Sequence, residues 1–223
     1  MNAKMIIGGA VLAASTLAGT AVAGPFSANV GVTSNYIWRG VTQTGDQAAI
    51  QGGVDYENEN GFYAGTWISN VSWTSTPGYE QDWYLGYGFE AGPVSLDVGY
   101  ILYTYPVDSN VEDDFGEIYV NASWQWLSGG IAYTTNKESD IDTGDIYIYV
   151  SGDFEAKNGI AYGFTVGNYD YKQEDAISQL EDYAHLRLYM SKSDFTLAFD
   201  KNDYDGASGD YRFSVSWAKS FDL

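Results

Sequence analysis

The chain has 223 residues and a formal net charge of −20, with 10 Lys and Arg against 30 Asp and Glu. That balance argues against binding to nucleic acid or to anionic lipid heads. Cysteine is absent, so neither disulfides nor thiolate metal sites brace the fold, and one histidine rules out a multi-histidine metal centre. Aromatic residues make up 17% of the chain, nearly as much as the 18% that is charged.

The first element is a leader. Lys4 precedes an apolar core containing Ile6, Ile7, Val11 and Leu12, and the small residues Ala21 and Ala23 sit where a signal peptidase reads them. Cleavage after Ala23 is expected, with residues 24–223 as one outer-membrane barrel domain. The apolar core is too short for a membrane-spanning helix, and no later run reaches the roughly 20 apolar residues such a helix needs.

After Gly24 the dominant period is two, the pattern of strands with unlike faces. Even positions from Ala28 to Trp38 are mostly apolar or aromatic, and their odd neighbours are mostly Asn, Gly, Thr and Arg. The alternation continues through Ala48, Ile50, Val54 and Tyr56, then Tyr63, Trp67, Val71 and Trp73, then Trp83, Leu85, Tyr87 and Phe89. Further sets run Val94 to Leu102, Ile118 to Trp126, Ile131 to Tyr133, Ile146 to Phe154, Ile160 to Val166, Ala184 to Met190 and Phe195 to Phe199. A last set, Tyr211 to Leu223, brings the expected number of strands to about twelve. In this register all seven tryptophans face outward.

Connections sharpen the reading. Those after even-numbered strands are short: Asn58 to Gly61, Ala91 to Pro93, Ser128 to Gly130, Lys157 to Gly159, and Lys192-Ser193. Those after odd-numbered strands are long and polar: Gly40 to Gln47, Thr74 to Gln81, Pro106 to Asp114, Asn136 to Gly144, Asn168 to Asp182 and Lys201 to Gly209. Keeping every long loop at one end is the habit of an outer-membrane barrel, with short periplasmic turns and long external loops. The expected fold is therefore all-β, a transmembrane antiparallel up-and-down barrel whose last strand closes on the first, because lipid cannot satisfy an open edge.

The segment Ser34-Asn35-Tyr36-Ile37-Trp38-Arg39-Gly40-Val41-Thr42-Gln43-Thr44 resembles the TorF-like porin family of proteobacterial outer membranes, also described as the Gcw_chp domain of unknown function. Gly61 to Val71 and Leu96 to Tyr100 are similar to its second and third recurring segments, and the likeness runs nearly the whole mature chain. The resemblance implies an outer-membrane barrel and a pore, with no particular solute. Leu223 departs from the terminal Phe common in such barrels, which bears on recognition of the last strand by the barrel-assembly machinery. Outer-membrane lipid and lipopolysaccharide are the other expected partners.

On this register the polar face presents Asp55, Asp82, Asp97, Glu117, Asp145 and Asp153, with Tyr84, Tyr103, Tyr119, Tyr147, Tyr149 and Tyr189. Its basic groups are Arg39, Arg187 and Arg212. Fixed carboxylates in an aqueous passage favour cations, so one expectation is a passive, cation-preferring channel for small solutes. The other is that carboxylates pair with the arginines and tyrosines to fill a closed barrel that acts in structure or surface contact. Arg39 is placed where the first strand meets its long loop, near Arg212, as one side of a constriction or as half of a structural ion pair. A soluble barrel with its faces exchanged around an apolar ligand is a third arrangement.

His185 falls on the polar face, away from lipid, which argues against a lipid hydrolase, and no catalytic residue or cofactor is expected. The acidic stretch from Asp200 to Gly206 fails the spacing of a calcium loop, since setting Gly206 at the sixth position puts Lys201 at the first. Glu112 to Asp114 and Glu138 to Asp145 read as solvated external loops, and no metal site is expected.

Overall fold

A computed structural model describes residues 25–72, 78–106, 114–138, 143–172, 181–204 and 209–223. The leader, Trp73, the acidic pair Glu112-Asp113, residues 139–142 and the Asp205-Gly206 stretch lie outside the described residues. Twelve antiparallel strands close a barrel: β1 (Phe26–Thr33), β4 (Ala49–Glu57), β5 (Phe62–Val71), β6 (Gly78–Ala91), β7 (Val94–Thr104), β8 (Phe115–Trp124), β9 (Leu127–Lys137), β10 (Ile146–Glu155), β11 (Ala161–Asp170), β12 (Tyr183–Lys192), β13 (Phe195–Asn202) and β14 (Arg212–Asp222). β1 pairs with β14 from Ser27↔Asp222 to Thr33↔Ser216, which removes the open edge. Two further short strands, β2 (Ile37–Trp38) and β3 (Val41–Thr42), pair only with each other.

Period two decides which face meets lipid. Leu85, Val98, Ile118, Val120, Ile131, Ile148, Val150, Val166, Leu188 and Val215 are exposed around the outside. In a water-soluble protein this belt would be an aggregation surface, whereas in hydrocarbon it is the solvated one. Aromatic residues rim it at both ends. Phe62, Phe89, Trp124, Trp126, Phe154 and Phe195 lie near the short turns, and Tyr79, Trp83, Tyr133, Tyr211 and Phe213 near the long connections.

Three local readings of the sequence are corrected here. The first strand ends at Thr33, and residues 34–44 neither prolong it nor form an external loop but fold inward, with 45–48 exposed at the rim. Trp38 and Trp67 consequently face the interior, Trp67 lying edge-on to the buried Tyr36 ring at 5.4 Å. The third short turn lies at Gln125-Trp126, where Gln125 takes a φ of 57°, and Ser128 to Gly130 belong to β9. Those glycines serve packing instead: a Cβ on Gly130 would stand 2.8 Å from the Tyr149 ring.

Several inward tyrosines lie flat across a directly paired glycine, as Tyr84 does over Gly65, Tyr63 over Gly86, Tyr119 over Gly99 and Tyr189 over Gly163. A Cβ on Gly65 would meet the Tyr84 ring at 2.6 Å. The bare glycine thus lets the ring lean along the wall and carry its hydroxyl to the next strands. A β-bulge provides the other adjustment. Glu117 pairs with Thr134 and Gly116 with Asn136, leaving Thr135 as the extra residue on β9, while Glu117 faces inward by the same alternation as Tyr119.

Candidate functional site

The inward hairpin occupies the half of the lumen nearer the long connections. Its turn is Arg39-Gly40, with φ of 47° and 82°, the two positive values that a two-residue type I′ hairpin requires. Gly40 is needed for a second reason, since a Cβ there would stand 2.5 Å from the Cβ of His185. Asn202 donates from Nδ2 to the Gly40 carbonyl at 2.8 Å, tying the tip to β13.

Arg39 extends from that tip to the far wall. Its guanidinium donates to both oxygens of Glu117, at 2.8 and 2.6 Å, with the two side chains 1% and 2% exposed. The same group lies 4.2 Å from the Trp38 ring centre, 4.1 Å from that of Tyr147 and 5.3 Å from that of Tyr169. Burial is the largest single influence and disfavours its charge, but Glu117 together with Tyr103 and Tyr169 outweighs it and holds the guanidinium protonated more firmly than usual. Arg39 thus forms an ion pair with Glu117 of β8. Arg212 instead donates from Nε to Asp46 at 2.7 Å, at the rim.

At the base of the hairpin, the Tyr36 hydroxyl donates to Glu80 at 2.7 Å and the Tyr105 hydroxyl to its second oxygen at 2.9 Å. Burial first, then the negative field of Glu80, pushes both hydroxyls well above their ordinary pKa, so they remain donors. Asp82, two residues along β6, is fully buried, and neither of its carboxylate oxygens has a hydrogen-bond partner among the described residues.

The remaining sequence candidates also face inward. Asp145 pairs with Lys137 at 2.8 Å, and Arg187 with Asp200 at 3.3 Å. Nearer the short turns the carboxylates are held by tyrosines instead: Asp97 by Tyr63 at 2.6 Å and by Asn121 at 3.1 Å, Asp55 by Tyr84, and Asp153 by Tyr189. His185 is buried in the lumen with Nε2 2.9 Å from the Tyr147 hydroxyl. Glu80, Asp200, Lys137 and Tyr63 complete the site, and the sequence pattern does not single them out. Asp200 reads there as part of the acidic loop that follows it, and Tyr63 as part of the lipid face.

Two cavities flank the hairpin. One is lined by Arg39, Glu117, Tyr103, Tyr119, Tyr147 and Asn121, and extends from the Arg39–Glu117 pair toward the short turns. The other lies between Tyr36, Gln51, Arg187 and the β1–β14 wall.

Comparison with known proteins agrees with this architecture. Residues 18–211 match the family described as a bacterial protein of unknown function, Gcw_chp. The chain belongs to this family. No curated protein matches this Gcw_chp chain. Among solved structures it is similar to the KdgM porin, with a TM-score of 0.58 and 11% identity over 87% of this chain and 99% of that one. A second KdgM structure, in complex with disordered oligogalacturonate, gives a TM-score of 0.53 at 10% identity over 88% and 98%. The NanC porin gives 0.50 at 12% identity over 89% and 100%. At these identities the likeness establishes a porin-like barrel fold.

Proposed function

We propose that this Gcw_chp protein is a passive outer-membrane channel for small solutes, that it prefers cations, and that the inward hairpin 34–44 sets its width. The observation that carries this reading is the imbalance of lumen charge. Among the described residues the bases Arg39, Lys137, Arg187 and Arg212 are each matched to a carboxylate, while Asp55, Asp97 and Asp153, nearer the short turns, have no basic partner in an ion pair. A water-filled wall carrying that surplus attracts cations and repels anions. No reaction or cofactor enters the reading. The leader, the lipid-facing belt and the placement of both barrel ends at the short-turn side support a Gram-negative outer membrane, with assembly through β14 and lipopolysaccharide around the long-loop rim.

The test is conductance of the refolded mature chain in a planar bilayer under a salt gradient. Discrete steps with a cation-selective reversal potential are expected. Silence from a folded, inserted barrel would overturn the channel and favour a closed barrel acting through its external loops, a reading to which the buried Arg39–Glu117 pair lends weight.

A further inference from the structure

We infer that the cage around Arg39 is a recognition site for guanidinium-type organic cations, which the hairpin fills with a side chain of its own. The proposal rests on the channel reading only for the route by which a free cation would arrive.

A guanidinium has a planar fork of donors and two weakly hydrated faces, so a site made for it needs a bidentate acceptor and aromatic surfaces. The cage supplies both. Glu117 meets the fork at 2.8 and 2.6 Å, and Tyr147 covers the cation at 4.1 Å with Tyr169 at 5.3 Å. These three belong to β8, β10 and β11, so the wall is built whether or not the hairpin is present. Their positions are fixed by neighbours: the alternation of β8 turns Glu117 inward with Tyr119, Tyr147 contacts His185 through its hydroxyl at 2.9 Å, and Tyr169 stacks on Tyr183 at 5.8 Å.

Arg39, by contrast, arrives on a turn between two-residue strands that pair with nothing else in the sheet. It behaves as a tethered occupant. The cavity adjoining Glu117 has room for about one water while Arg39 is in place, so a compact planar cation would bind in the volume that Arg39 leaves. Other cations fit poorly. A divalent metal wants several oxygens, where the cage offers one carboxylate, and a primary ammonium lacks the fork. Free guanidinium-bearing solutes entering from the short-turn side would exchange with Arg39, and this exchange names the solute class of the channel.

The test is calorimetric titration of agmatine into detergent-solubilised Arg39→Ala, with folding checked by the heat-modifiable gel shift. Saturable one-to-one binding is expected, at least tenfold tighter than in the Arg39→Ala/Glu117→Gln double variant and at least tenfold tighter than that of butylamine. If Arg39→Ala assembles poorly, agmatine present during refolding should raise its folded yield and leave the double variant unchanged. Equal agmatine affinity in the single and double variants, or a refolding yield indifferent to agmatine, would overturn the proposal. Agmatine binding by Arg39→Ala in a barrel that never conducts would uphold the site while removing the channel.

Discussion

Replacing Glu117 by Gln measures how firmly the hairpin is held in the lumen. The change keeps volume and one acceptor, and removes the charge opposite Arg39 at a place where the two side chains are 1% and 2% exposed. Breaking a buried pair from one side costs about 3–5 kcal/mol, since the surviving charge stays in a poor dielectric. The aromatic faces return up to about 2 kcal/mol. With that return taken off, about 1–3 kcal/mol remains. Among the other polar anchors near the tip and base, the Asn202 bond to Gly40 and the Tyr36 bond to Glu80 are worth roughly 1 kcal/mol each. The net loss of the pair is therefore comparable to both together. At 1.4 kcal/mol per decade, the hairpin's equilibrium should move outward by about one to two decades. Because the chain has no cysteine, a single Val41→Cys substitution reports this by its rate of maleimide labelling, alongside single-channel conductance. Faster labelling and larger steps are expected in E117Q. Equal rates and equal conductance would refute the idea that this pair latches the hairpin.

Three further outcomes follow from the same geometry. Gly40→Ala places a side chain at φ +82° and against His185, so the hairpin should loosen by roughly 1–2 kcal/mol from backbone strain alone, read by the same maleimide labelling in the Val41→Cys background. Neutralising Asp55, Asp97 and Asp153 together to Asn should move the reversal potential toward zero with little loss of folded barrel, because Asn still accepts from Tyr84, Tyr63 and Tyr189; an unchanged potential would show these carboxylates lie off the ion path. Leu85→Arg, on the lipid face midway along β6, should cost about 2–4 kcal/mol in urea-driven unfolding from vesicles, and no cost would mean the faces are reversed.

The barrel was legible because two independent signals agreed. Alternation marked the strands, and the grouping of short and long connections marked the two ends. The hairpin escaped because period two is blind to what a strand faces: Tyr36 and Trp38 continue the alternation of Ala28, Val30 and Val32 whether they point to lipid or into the lumen. The local clue was Arg39-Gly40 with Val41 beyond it, two central residues suited to a tight turn inside what otherwise reads as one strand. In β5 the difficulty was different. Aromatic and aliphatic side chains occupy both faces, Phe62 and Ile68 outside against Tyr63 and Trp67 inside, and only the pairing of Gly65 with Tyr84 and of Tyr63 with Gly86 separates them.

The tyrosines also explain how an acidic lumen can be ordered without being neutralised. A carboxylate held by arginine loses its field along with its freedom, as Glu117 does against Arg39. A carboxylate held by a tyrosine hydroxyl gains a hydrogen bond and keeps its charge. Asp97, Asp55 and Asp153 are anchored this second way near the short turns, each by a ring lying across a paired glycine, whereas the arginine-held pairs cluster around the hairpin and the opposite end. The lumen is thus divided by chemistry: a stretch toward the short turns whose carboxylates are held by tyrosines, and an aromatic-lined stretch where arginine-held pairs surround the hairpin. On the proposed channel reading, a cation entering from the short-turn side next meets Glu117, and how far it passes depends on how readily Arg39 gives way.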